Sequence, residues 1–267
     1  MGTETSGSTV GRGRVRAFRI VAGLFGALSI LANAAFGLGT LFDQTMKVHT
    51  FHLMVPLFIY TLLVGVPLVA LAIHPTDVVP LRLAWAVLLG AVIASFMGED
   101  FLSGTYYIGP IVLVVLTILA PTRGELLRFG SPNIAMLSLA VIAAIPAIVY
   151  AWHNARIMLE VDPAMDTSGH WSGHHWSGIA GVVLGLVLGA GVLSFRQPGD
   201  RLWVWMVGLA AMLVGLTAIV YSDEVRYPSS LGTWWGVLTL FVGLVYIGVG
   251  EVSGRAPAGQ PSGVSQG

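Results

Sequence analysis

Between residues 17 and 250 the chain passes through a series of apolar runs, each close to the roughly 20 residues that an α-helix needs to cross a bilayer. No other feature restricts the fold as strongly. In hydrocarbon every backbone N–H and C=O must be satisfied inside a helix or a closed barrel. Long runs without strict apolar–polar alternation select the helix. The runs fall near 17–41, 52–73, 80–98, 101–120, 132–153, 175–195, 201–221 and 231–250. The expected fold is therefore all-α, a polytopic integral membrane protein of eight transmembrane helices. Charged residues make up 10% of the chain, too few for a water-facing surface, since soluble domains carry about 25%.

The ends differ from the middle. Residues 1–16 are polar and glycine-rich, and 252–267 are rich in Gly, Pro and Ser, so both read as flexible tails. The apolar run after the first tail is longer than a signal-peptide core and is expected to remain as the first span. Net charge is zero, so no nucleic-acid partner is expected. The lipid bilayer is the expected surrounding, and a membrane-protein partner or a homo-oligomer stays open.

Basic residues set the orientation. With the N-terminus in the cytoplasm, Arg12, Arg14, Arg16, Arg19, Arg82, Arg123, Arg128, Arg196, Arg201 and Arg255 lie inside, and only Lys47, Arg156 and Arg226 lie outside. Both termini are therefore expected to be cytoplasmic, in a cell membrane. On this map His49, His52, His153, His170, His174 and His175 gather at the outer face. Asp43, Glu99, Asp100, Glu160, Asp162, Asp166, Asp223 and Glu224 gather there too.

The chain also repeats itself. Asp43 and Asp166, Asp77 and Asp200, Asp100 and Asp223, and His52 and His175 are each separated by 123 residues. Seven aspartates give about 0.1 matched pair at any single offset by chance, against three found. The expected organisation is a parallel tandem repeat of two four-helix units, 17–125 and 132–251, related by a pseudo-two-fold axis along the membrane normal. Asp77 and Asp200 fall in short turns ("HPTD" and "QPGD") and read as helix N-caps. Asp43 to His52 and Asp166 to His175 share one spacing, an acid in a loop and an imidazole at the head of a helix.

The densest chemistry lies in "DTSGHWSGHHW", residues 166–176. Imidazole and carboxylate are the ligands of Zn, Fe and Mn sites, and thioether with imidazole suits Cu(I). The chain has no cysteine, which removes disulfides, cysteine-ligated iron–sulfur clusters and thiol catalysis. Candidate metal ligands are His49, His52, His170, His174, His175, Asp43, Asp166, Asp100 and Asp223. His52 and His175 are also candidate axial ligands of a haem. Asp223 or Glu224 could act as base toward a metal-bound water. Over six residues, "HWSGHH" resembles one histidine box of the membrane desaturase and hydroxylase class. Those enzymes use several boxes, usually on the cytoplasmic side, whereas this chain has one, placed outside. Met46, Met54, Met97, Met158 and Met165 near the same face leave copper handling open. Interfacial histidines, belt aromatics at Trp171 and Trp176, and an Arg156–Glu160 ion pair form the structural reading of the same residues. A scaffold or assembly subunit and a small-solute or ion transporter are the alternatives without a metal. The scarcity of ionisable groups at mid-depth speaks against ion-coupled transport.

Overall fold

The computed structural model describes residues 11–42, 50–100, 105–162, 174–195, 200–221 and 232–253. Among these the elements are helices joined by turns, with no strand: α1 (Arg12–Phe42), α2 (Thr50–Tyr60), a π-helical turn (Thr61–Gly65), α3 (Val66–Ile73), α4 (Val79–Met97), α5 (Thr105–Leu119), a 3-10 turn (Arg123–Glu125), α6 (Ile134–Glu160), α7 (His175–Leu193), α8 (Arg201–Val220) and α9 (Thr233–Ser253). Seven of the helical runs, counting α2 through α3 as one, are long and apolar enough to cross a membrane. The fourth expected span corresponds to α5, which has 15 residues and is shorter than the others. Large apolar side chains such as Leu31, Phe36, Ile145 and Phe241 face outward, as a bundle surrounded by acyl chains requires.

Burial sorts the helices into layers. In α7 and α4, 72% and 67% of the most apolar window is buried, against 17% in α1 and 28% in α6 and α9. α4 and α7 therefore form the centre, joined by α2 and α8, and α1, α5, α6 and α9 face the surroundings. The reason lies in the glycines of α7. A methyl group on Gly90 would overlap the backbone of Gly185, one on Gly185 would lie 2.6 Å from the Cα of Val87, and one on Gly181 2.6 Å from the Cα of Ala91. Between apolar helices in lipid, association comes from close packing, and small residues are what permit it. The same device joins α8 to α9, where a Cβ on Gly215 would stand 2.5 Å from the carbonyl of Gly236.

The π-helical turn follows from Pro67. Proline has no N–H to give and its ring crowds the carbonyl four residues earlier, here Leu63. The preceding turn widens, and the Val66 N–H reaches back five residues to the Thr61 carbonyl. Gly65 inside this turn lets α1 approach closely: a Cβ there would meet Ile30 at 2.6 Å. Pro56, Pro110 and Pro146 sit within α2, α5 and α6 without ending them.

The end opposite the histidines is tied by arginines. Arg82 donates to the carbonyls of Leu126, Glu125 and Arg128 at 2.9, 2.6 and 2.5 Å, and its guanidinium lies 4.6 Å from the Phe129 ring centre. Arg14 donates to the carbonyls of Leu119 and Ala120, closing the carboxyl end of α5 as cations do at such ends. Arg201 and Trp205 both donate to Glu251, linking α8 to α9. Just before α4, the Asp77 carboxylate accepts the Val79 N–H at 3.0 Å, although the N-cap of the helix is Val78 and not Asp77. Asp200 occupies the N-cap of α8 without a side-chain capping bond.

The close helix contact makes a paired expectation. Gly185→Ala should destabilise the fold by about 1–3 kcal/mol, because the methyl has no room. Gly248→Ala, on an open face of α9 with no atom near the added methyl, should leave stability unchanged or raise it by up to about 1 kcal/mol. Thermal unfolding of both variants in detergent measures the contrast. Equal effects would mean that the α4–α7 contact does not hold the bundle together.

Candidate functional site

Three helix ends meet where the histidines cluster. α2 begins with Thr50, α4 ends at Met97, and α7 begins at His175. His52, in the first turn of α2, is buried, with 2% of its surface exposed. Its ring stacks on that of His175, with centroids 5.6 Å apart and planes 30° apart. Two histidines separated by 123 residues in sequence are thus side by side, each on the first turn of its helix.

Beside this pair lies a carboxylate. Asp100 follows the end of α4 and is buried, with 4% exposed. Its Oδ1 is 2.6 Å from His174 Nδ1, and its Oδ2 accepts the Ser177 hydroxyl. The Ser177 hydroxyl also lies 3.1 Å from the His174 carbonyl. A buried carboxylate needs polar partners, and here one oxygen accepts the Ser177 hydroxyl while the other lies against a ring nitrogen of His174. The carboxylate thus lies directly beside Nδ1 of the His174 ring. This carboxylate–imidazole arrangement fixes the ring's orientation. Asp100 lies between the serine and the histidine. The serine is thus held by the acid and not activated by the base, which is the reverse of the order a nucleophilic triad needs.

The backbone at this place is unusual. Among the described residues, Glu99 and His174 are the non-glycine residues with positive φ, at 51° and 55°. Each adjoins or belongs to the Asp100–His174 pair. At the end of α4 the Asp100 N–H reaches the Ser95 carbonyl at 3.0 Å, six residues closing on one, with Glu99 in the left-handed position that usually takes glycine. At the start of α7, His174 holds the N-cap in the left-handed region. Such residues cost about 1–3 kcal/mol each and persist where surrounding structure holds them.

The sequence-derived candidates divide accordingly. His52, His175, His174 and Asp100 come together here. His49, His170, Asp43, Asp166, Asp223 and Glu224 lie outside the described residues, as do Met46, Met165 and Trp171. Among the described residues no three His, Asp or Glu side chains form a ready metal cage. His174 itself precedes the helix, holding the left-handed N-cap of α7, which begins at His175. Trp176 is a further correction: it is 1% exposed and packs with Met158 and Val161 in the interior instead of facing the headgroups. Met97 packs in a separate apolar cluster with Ala94 and Ala180. The two thioethers thus serve packing. Arg156 and Glu160 form the expected i,i+4 pair, at 2.5 Å. Ser177 had been passed over in the sequence. Its signal was its place three residues after His174, within the first turn of the following helix.

No family model matches this chain, and neither a curated protein nor a solved structure matches it.

If the local strain is real, glycine should relieve it. Glu99→Gly, at an exposed side chain, should raise stability by about 1 kcal/mol. His174→Gly should cost about 1 kcal/mol less than His174→Ala, since both lose the Asp100 contact and only alanine keeps the strained φ. Chemical or thermal unfolding of the three variants gives the comparison. The buried network makes a second one. Asp100→Ala and Ser177→Ala should couple, the double variant losing about 1 kcal/mol less than the sum of the single losses. Strict additivity would remove the shared bond.

Proposed function

We propose that this chain is a multi-pass membrane protein that holds a transition metal at its non-cytoplasmic end, in a centre built on His52, His174 and His175. The observation that carries the proposal is the stacked His52–His175 pair, with His52 buried and His175 half-buried, beside the His174 imidazole that lies against a buried carboxylate. Desolvating several imidazoles in one place is costly without a purpose, and ring nitrogens oriented by a carboxylate are what metal sites use.

The donor set indicates the kind of ion. Imidazole nitrogens with carboxylate support suit Zn, Fe or Cu more than Mg or Ca. The ring stack matters for haem. Lone pairs lie in the plane of an imidazole, so two rings facing each other do not direct nitrogens at an iron placed between them. This favours a non-haem ion reached by the ring edges over bis-histidine haem. In this reading Asp100 and Ser177 orient His174. His49 and Asp43 precede α2 in the chain, His170 and Asp166 precede α7, and Asp223 follows α8; these are the candidates for the remaining ligands. A metal so held polarises a bound water, and Asp223 or Glu224 is the candidate base.

The same reading includes the two-fold organisation, units 17–125 and 132–251 with both termini cytoplasmic. Its support is reciprocity. α2 of the first unit packs on α7 and α8 of the second, and α7 packs on α2 and α4 of the first. The matched histidines then meet near the axis.

Metal analysis of the purified full-length chain tests the proposal. The wild type should carry about one Zn, Fe or Cu per chain. His52→Ala with His175→Ala should lose it while eluting as wild type on gel filtration, and Asp100→Asn should weaken binding by about 10–100-fold. A metal-free wild type after growth in metal-replete medium, or a double variant that keeps its metal, would end the proposal.

A further inference from the structure

A groove of about 450 Å³ opens between α1, the α2–α3 span and α5, with Leu88 of α4 at its floor. Its walls are mostly apolar and include Phe25 and Phe36, with three polar side chains among them, Ser29, Asn33 and Tyr60. The Asn33 amide donates to the Ser29 carbonyl of its own helix at 2.7 Å. Among the described residues, neither the Asn33 side-chain oxygen nor the Tyr60 hydroxyl has a hydrogen-bond partner. Its mouth faces outward, where Ile108 and Phe36 are about 60% exposed, at 61% and 63%.

Two other grooves show that these polar groups are not a general feature. One beside α6 and α7 is as large, 460 Å³, and no polar side chain lines it. Acyl chains suffice to fill such a space. The other, among α6–α9, is small, 70 Å³, and its polar groups are used internally. Tyr246 donates to the Ala190 carbonyl at 2.9 Å, Thr239 to the Trp235 carbonyl at 2.9 Å, and Trp235 stacks on Tyr150 at 4.5 Å. Of these three grooves among the described residues, the first combines volume with polar groups that have no partner within the protein.

Depth identifies the chemistry. Tyr60 is ten residues from the start of its span and Asn33 nine from the end of α1, so both lie about 14–15 Å below that end of the bundle. In a hydrocarbon layer about 30 Å thick this is the middle. Phospholipid esters stay at the interface and do not reach these groups. A molecule that does must live within the acyl region and still carry oxygen on a compact head. A flat ring with carbonyl oxygens and an isoprenoid tail meets each requirement: the ring lies at the depth of Tyr60 and Asn33, an oxygen accepts from the Tyr60 hydroxyl, and the tail leaves through the mouth into lipid. We propose that this groove binds an isoprenoid quinone. The argument is independent of the histidine centre.

Titration of the full-length protein in nanodiscs with decylubiquinone, followed by calorimetry against empty nanodiscs, tests this. Binding should be saturable with one site per chain. Tyr60→Phe, which keeps the ring and removes only the hydroxyl, should weaken it about tenfold, and Asn33→Leu similarly. Oleate should not compete, and the His52→Ala/His175→Ala variant should bind as wild type. Heats equal to those of empty nanodiscs would overturn the proposal. So would unchanged affinity in Tyr60→Phe with a wild-type melting temperature, or displacement by oleate at matching concentration, which would make it an acyl-chain groove.

Discussion

The backbone contact between α4 and α7 sets the rest of the molecule. Two helices that touch through Gly90, Gly181 and Gly185 have no freedom to slide, because any shift drives a side chain into a backbone. One of them ends at the histidine cluster and the other begins there. Their register therefore decides whether Asp100 meets His174. It also fixes where His175 stands, and α2, packed on α7, brings His52 to it.

The polar network at this end is compact, with the carboxylate of Asp100 placed between an imidazole and a hydroxyl. It sits on two left-handed residues where glycine would be easier. Chains keep such positions where the side chain matters as well as the turn. At His174 the side chain holds the carboxylate, so glycine would lose the contact. At Glu99 the side chain is exposed, and the turn serves mainly to aim the next residue, Asp100, inward.

Much of the fold was legible because membrane spans are read locally. Length and hydropathy of one segment suffice to mark it as a helix, whatever its neighbours do. The prolines were legible as disturbances, but the π-helical turn before Pro67 was not. It depends on how the chain resolves the clash with Leu63 while Gly65 is pressed by Ile30 of another helix. Of the site, residue types and spacing singled out His52, His175, His174 and Asp100. The 123-residue offset favoured His175 over His174 and matched Asp100 with Asp223. It said nothing of the bond from Asp100 to His174, since residues 74 positions apart in different spans leave no periodic trace. Trp176 was misread for a related reason. An aromatic residue at a helix end looks the same in sequence whether it faces headgroups or, as here, Met158 and Val161.

The sequence by itself determined the helical, membrane-compatible character of the chain, the approximate span limits, and the set of residues able to bind a metal. These follow from composition within single segments, where the energetic choice between water and hydrocarbon is made residue by residue. Only the tertiary structure decided which of those residues meet. It stacked His52 on His175, gave Asp100 to His174 and Ser177, buried Trp176, and turned Tyr60 and Asn33 into one groove. Each of these depends on register and rotation between helices, fixed by glycine contacts in three dimensions, which no single segment encodes.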